Sequence, residues 1–219
     1  MLSLNIPIIE TKQETRDVKS IKLEKPKNFD YKPGQYMMME LETGDEDSIK
    51  PFSLASSPTE DFLMFSTKIS QSNFKKKLDS LKANDNVKLK GPMGIFVLSE
   101  SAKNIMMLSG GIGVTPFRNM VKYATDKKLG NKITLLYSNK TPDDIVYREE
   151  WHALEKENAN FKIINTITES TVVWNGRAGR INENLVREYC NDMQNTLFYI
   201  CGPPGMVNSL SDLLKGMNI

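Results

Sequence analysis

Residues 103–120, KNIMMLSGGIGVTPFRNM, constrain the fold more than any other stretch of this 219-residue chain. They open on the apolar run Ile105, Met106, Met107 and Leu108, short enough to be a strand buried on both faces. Gly110, Gly111 and Gly113 follow within the turn; lacking Cβ atoms, they permit a tight bend and close approach of a ligand to the backbone. Thr115 then has the chemistry of an N-cap, and Pro116 that of a first helical residue, where a missing N–H costs nothing. A strand, a glycine turn and a helix start leave free N–H groups at the positive end of a helix dipole, which suits a pyrophosphate. The spacing is G-x-G-x-x-P, so Pro116 stands where the dinucleotide fingerprint has its third glycine. Taken alone, the stretch also fits a plain Gly-rich turn between a core strand and a core helix.

Bulk properties exclude several classes. A net charge of +2 with dispersed basic residues, Lys75, Lys76 and Lys77 excepted, gives no nucleic-acid footprint. No apolar run approaches the ~20 residues of a membrane span, and the N-terminus lacks the basic region and cleavage site of a secretory signal. Cys190 and Cys201 have no metal-ligand spacing and are too few for a four-cysteine iron–sulfur cluster. A reducing cytoplasm is the expected location, and no metal site is expected.

Along the chain the rhythm changes once. Residues 2–10, 18–23, 36–41, 49–55, 62–69 and 87–89 read as short strands. Turn chemistry separates them, such as Lys32-Pro33-Gly34-Gln35, Thr43-Gly44-Asp45 and Ser57-Pro58. Many short strands with this punctuation predict a small antiparallel barrel. One helical insert carries Phe74, Leu78 and Leu81 on a single face. Beyond the polar linker at 99–103, strands at 133–137, 161–167 and 196–200 alternate with helices at 143–157, 184–189 and 204–214. That alternation predicts a parallel sheet with crossover helices.

In open parallel sheets, ligands bind outside the carboxyl ends of the strands. Three such ends carry chemistry: 110–115, then Ser138-Asn139-Lys140, then Cys201-Gly202-Pro203-Pro204-Gly205-Met206. The last sets a thiol and a rigid turn at the rim; the plainer alternative is a buried small cysteine and a loop that opens a helix. In the first half, Lys50, Pro51, Phe52, Ser53 and Leu54 supply a cation, an aromatic and a hydroxyl. These can anchor a phosphate, cover a ring and donate a hydrogen bond. Lys50 and Phe52 share one strand face, with Ser53 on the other. An amphipathic strand entering the turn at Pro58 accounts for the same residues.

Together, PGQY (33–36), KPFSLAS (50–56), GPMGIF (91–96), GGIGVTP (110–116) and CGPPGMV (201–207) resemble, in order and spacing, the ferredoxin–NADP reductase family over essentially the whole chain. The resemblance implies an antiparallel Greek-key flavin-binding barrel at 1–100, a Rossmann-like NAD(P)-binding domain at 101–219, and no iron–sulfur domain. It implies FAD as cofactor, with FMN as the alternative, and NAD(P)H as substrate. Lys50 then meets a flavin phosphate, Phe52 packs on the isoalloxazine between Pro51 and Leu54, and Ser53 sits near flavin N5. Gly110, Gly111, Gly113 and Thr115 take the dinucleotide pyrophosphate. Cys201 faces the nicotinamide, with Gly202, Pro203 and Met206 shaping that wall; Ser53 and Cys201 become the catalytic residues.

This sequence departs from the family pattern in ways that bear on flavin affinity. Lys50 replaces arginine, losing a bidentate grip on phosphate while keeping the charge. Phe52 replaces tyrosine, keeping the ring and losing its hydroxyl. The flavin-phosphate motif G-x-x-S/T falls on Ser72, Asn73, Phe74 and Lys75, where Lys75 supplies charge in place of the hydroxyl. Many relatives end in an aromatic that shields the flavin; here the last residues are Gly216, Met217, Asn218 and Ile219, so a more open ring is expected.

The expected reaction is hydride transfer from NAD(P)H to flavin N5, then electron delivery to a small redox protein such as ferredoxin or flavodoxin, or to an oxygenase component. Reduction of free flavin, and a non-catalytic electron-transfer or nucleotide-sensing subunit, are the alternatives. NADH is expected over NADPH: Glu169 stands where NADPH-specific relatives carry arginine, with Ser138 and Lys140 on the neighbouring strand end. His152 is expected on a solvated or packed helix face, and Trp151 and Trp174 in core or interdomain packing.

Overall fold

The computed structural model describes residues 2–44, 48–169 and 173–219; Asp45 of the expected turn lies outside them. It divides into two compact units, Met1–Leu98 with Thr115–Tyr123, and Ser99–Val114 with Ala124–Ile219.

In the first unit, strands β1 (Leu2–Gln13), β2 (Val18–Glu24), β3 (Tyr36–Glu40), β4 (Ile49–Ser53), β5 (Phe62–Lys68) and β6 (Asn86–Met93) form an antiparallel sheet. Its order is β4-β3-β6-β1-β2-β5, and β4 and β5 at its two ends approach each other, so the barrel is nearly closed. Period-two patterning explains the core: Ile6 and Ile8, Met37 and Met39, Val87 and Leu89 alternate with outward neighbours and pack together inside. Helix α1 (Asn73–Ser80) adds Phe74 and Leu78 to that core, and Leu81 follows at its C-cap. β4 stops at Ser53, short of the expected 55, because Leu54 N–H turns to Gln35 O and Ala55 N–H to Met64 O.

The second unit holds the parallel strands β7 (Asn104–Gly110), β8 (Lys132–Asn139), β9 (Phe161–Ile167), β10 (Arg177–Ala178) and β11 (Thr196–Cys201), in the order β10-β9-β8-β7-β11. Its helices are α3 (Arg148–Glu157), α4 (Glu183–Tyr189) and α5 (Pro204–Gly216), whereas α2 (Thr115–Asp126) belongs as far as Tyr123 to the first unit.

Three local expectations need correction. A 3-10 turn over Gly111–Val114 runs into α2, so Thr115 is its first residue rather than its cap. The helix expected from 143 starts only at Arg148. Before it, Ile145, Val146 and Tyr147 are buried consecutively, which no single helix face allows, and Tyr147 adopts the left-handed conformation with φ 60°. The two-residue β10 was not foreseen. Trp151 is core, packed on Tyr147 and Phe161, whereas Trp174 is partly exposed and lies against Gly176 and Arg148. His152 is on the exposed face of α3. Among the described residues, no helix is long and apolar enough to cross a membrane.

Candidate nucleotide and flavin sites

The parallel sheet changes direction of winding at β7: β8, β9 and β10 lie on one side of it and β11 on the other. Such a switch point opens a crevice beyond the strand ends. Gly110 closes β7 and Cys201 closes β11, with Cys201 in register with Ser109 and the Ser109 hydroxyl donating to Cys201 O at 3.1 Å. Close packing explains the glycines here. A Cβ on Gly113 would lie 2.5 Å from both Cys201 O and Gly202 Cα, and one on Gly110 would lie 2.3 Å from Met206 Sδ. Gly111 has φ 54° and open space around its missing Cβ, which is the room a pyrophosphate needs against the backbone.

The chain therefore gathers Gly110, Gly113, Cys201, Gly202, Pro203 and Met206 into one cradle. Burial pushes the Cys201 thiol up to about 11, so it is a neutral, polarisable wall and not a thiolate nucleophile. Beside it a cavity of about 450 Å³ is lined by Ser138, Thr168, Arg180, Met206 and Ser209, among others. Lys140 and Glu169 are exposed, and Glu169 N–H bonds Lys140 O at 3.0 Å. Thr115 is buried at the head of α2. Thr168 and Arg180 were not singled out in the sequence. Arg180 follows the unforeseen β10, which is what brings it to the cavity.

In the barrel, Phe52 belongs to the core, stacked on Phe74 with ring centroids 5.8 Å apart and edge-on to Phe65 at 6.4 Å. The Lys75 ammonium lies 4.5 Å from the Phe52 ring centroid and bonds the Thr67 hydroxyl. Burial, then the nearby Lys50 charge, pushes the Lys75 amine down to about 8. The Lys50 charge thus lies near enough to the Lys75 ammonium to disfavour it. The Ser72 hydroxyl accepts from Lys75 N–H at 3.3 Å as the cap of α1, and Asn73 is exposed beside it. Ser53 is half-buried at the end of β4 and Pro51 exposed, whereas Leu54 and Phe74 are core.

Residues 5–98 match the oxidoreductase FAD-binding domain family, and residues 107–212 match the oxidoreductase NAD-binding domain family. The chain belongs to the ferredoxin-reductase-like oxidoreductases. FAD is the flavin and a nicotinamide dinucleotide the second ligand of these paired domains. The reductase subunit of glycine betaine monooxygenase from Pseudomonas aeruginosa is 28% identical over 216 residues, covering 93% of this chain and 58% of the relative. The chain thus spans little more than half of that relative's length. The cytochrome b5 reductase domain of Ulva prolifera nitrate reductase superposes with a TM-score of 0.86 at 22% identity, covering 100% of this chain and 94% of that one. A Neisseria gonorrhoeae ferredoxin NADP+ reductase with bound FAD and NADP gives 0.84 at 18% identity, covering 98% and 91%.

One polar network in this ferredoxin-reductase-like chain escaped the sequence reading. Arg118 Nη1 donates to Ala55 O at 2.9 Å and Asn119 Nδ2 to Leu54 O at 2.8 Å. These carbonyls directly follow Ser53. Glu60, which pairs with Arg118, also accepts from Ser57 N–H at 2.6 Å. Tyr31 donates to Ser56 O at 2.9 Å. The available signal was a charged residue inside an otherwise core-forming helix face; its partner 58 positions earlier was not readable.

Proposed function

We propose that this chain oxidises NAD(P)H, NADH in preference, and passes the electrons through FAD to a separate small redox protein or oxygenase component. What supports the reading most is the cradle at the β7–β11 switch point, in a chain whose other unit matches a FAD-binding family.

The flavin, when bound, supplies acceptance of a hydride at N5 and onward release of electrons. The protein's part is binding and alignment. Lys50 and Lys75 hold the flavin phosphate. Ser53, with Leu54 and Ala55 fixed behind it by Asn119 and Arg118, offers its hydroxyl to the ring edge. Phe52 and Phe74 form the apolar wall under that edge. Gly110, Gly111 and Gly113 admit the pyrophosphate, and the neutral Cys201 side chain sets the nicotinamide plane. No proton need pass through a side chain in this step, consistent with a site built without histidine.

The decisive experiment is anaerobic addition of NADH to the purified, FAD-loaded protein while following the flavin absorption band. Rapid bleaching is expected; a band that persists with both NADH and NADPH rejects the reading. A second reading, reduction of free flavin, draws on the missing tyrosine hydroxyl at Phe52 and the altered motif at Ser72 and Lys75. Protein that purifies colourless, yet oxidises NADH when flavin is added in excess, selects it. Protein without NAD(P)H oxidation toward any small acceptor is instead an electron-transfer or nucleotide-sensing subunit.

A further inference from the structure

Tyr137 lies on β8, in register with Ser109 of β7, and its side chain is fully buried. Its hydroxyl donates to Gly111 O at 2.9 Å and accepts from Val146 N–H at 3.4 Å. One phenol thus ties the glycine turn to the buried segment before α3. We infer that Tyr137 is a positioning residue for the dinucleotide, holding the Gly111 carbonyl inward so that the turn presents its amides to the pyrophosphate. This rests on the proposed role of residues 110–113 as the pyrophosphate turn.

The geometry of the peptide unit makes the connection. In a planar trans peptide the C=O and the following N–H point in opposite directions. Fixing Gly111 O toward Tyr137 therefore directs the Ile112 N–H away from it. Gly111 opens the 3-10 turn with φ 54° and nothing near its missing Cβ, so without the Tyr137 bond this peptide is held only by the short 3-10 turn itself. A ligand would then have to order it on binding, whereas the buried hydroxyl has already done so. Burial also raises the Tyr137 phenol above its ordinary range, which keeps it a donor at any working pH. Its donor and one acceptor position are both used, which accounts for a polar atom in an otherwise apolar strand interior.

The test is Tyr137→Phe, which keeps the ring that fills the core. Binding of ADP-ribose is measured by titration calorimetry on the 219-residue chain, independently of turnover. One neutral hydrogen bond is worth about 3- to 10-fold in affinity, so ADP-ribose should bind that much more weakly. KM for NADH should rise in parallel, with the hydride-transfer rate at saturation unchanged within about twofold. Incorporating 3-fluorotyrosine at 137, which retains the hydroxyl, should restore parental affinity. A purely structural hydroxyl would lower the thermal midpoint of the phenylalanine variant and leave ADP-ribose affinity intact well below that temperature; this outcome overturns the inference. So does an equal loss with phenylalanine and fluorotyrosine. A parent protein that does not bind ADP-ribose overturns the assignment of the turn itself, and the inference with it.

Discussion

Arg118 and Glu60 meet through two hydrogen bonds, Nη1 to Oε2 at 2.5 Å and Nη2 to Oε1 at 2.8 Å, with side chains only 5% and 11% exposed. Planar guanidinium and carboxylate make this two-point contact, and each has a further backbone partner, Ala55 O and Ser57 N–H. Desolvation of both charges is thereby offset. Removing one partner strands the other. Arg118→Met should cost about 3–5 kcal/mol of stability, read as a fall in the urea midpoint. The Arg118→Met, Glu60→Met double variant should recover part of it. An Arg118→Met midpoint equal to the parent's rejects the assignment.

The glycines of the turn should separate into two kinds. At Gly113 an added Cβ meets backbone, Cys201 O at 2.5 Å, and backbone cannot move aside cheaply. Gly113→Ala should abolish ADP-ribose binding. At Gly111 an added Cβ meets nothing, and only the φ of 54° is strained. Gly111→Ala should cost roughly 1–2 kcal/mol while leaving measurable binding. Equal effects from the two substitutions would show that steric contact with the β11 end is not what selects glycine.

The candidate nucleotide site was more legible in the sequence than the candidate flavin site, for physical reasons. Glycine turns and strand ends are local: a run such as MMLSGGIG fixes its own strand and bend, and parallel alternation then brings Gly110 beside Cys201. That the first half forms a small antiparallel barrel also follows from period-two patterning and turn chemistry, whereas its strand order rests on long-range pairings such as β1 with β6. By contrast, the Arg118–Glu60 pair, the Tyr137–Gly111 bond and the place of Arg180 join residues far apart in sequence, and no periodicity encodes them. The run Ile145, Val146 and Tyr147 reads as helix in the sequence because the residues of α3 that follow it continue a helical pattern.

Lys75 gives a pH test of the proposed flavin phosphate site. Its amine is pushed down to about 8 from an ordinary 10.5, so between these values the unfolded chain holds more protons than the folded one. Stability of the flavin-free protein should therefore rise as pH increases from about 8 toward 10.5. Flavin affinity should move the other way, full below about 8 and weakening above it as the ammonium is lost. Lys75→Ala should remove both slopes, and Lys50→Ala should make flavin retention weaker and more salt-sensitive. Undiminished flavin retention in the Lys50→Ala, Lys75→Ala double variant would exclude this pair as the phosphate site.

In the proposed function, three charges near the strand ends set the discrimination between NADH and NADPH. Glu169 and Lys140 are exposed neighbours joined through their backbones, Glu169 N–H to Lys140 O at 3.0 Å. Arg180 lines the adjoining cavity with Ser138 and Thr168. A 2′-phosphate near Glu169 would meet like charge, and the ribose hydroxyls of NADH would instead find an acceptor. Lys140 and Arg180 oppose this, but an exposed ammonium contributes only about 0–1 kcal/mol, and salt screens it further. NADH should therefore win by a modest margin, about tenfold or ~1.4 kcal/mol. Glu169→Arg should reverse the preference, because it removes the repulsion and adds a fork that grips phosphate in two places. Arg180→Ala should deepen the preference for NADH by weakening NADPH alone. The measurement is kcat/KM with each nucleotide for the parent and both variants. A parent that already favours NADPH would show that Arg180 and Lys140, not Glu169, dominate the field at the adenosine end.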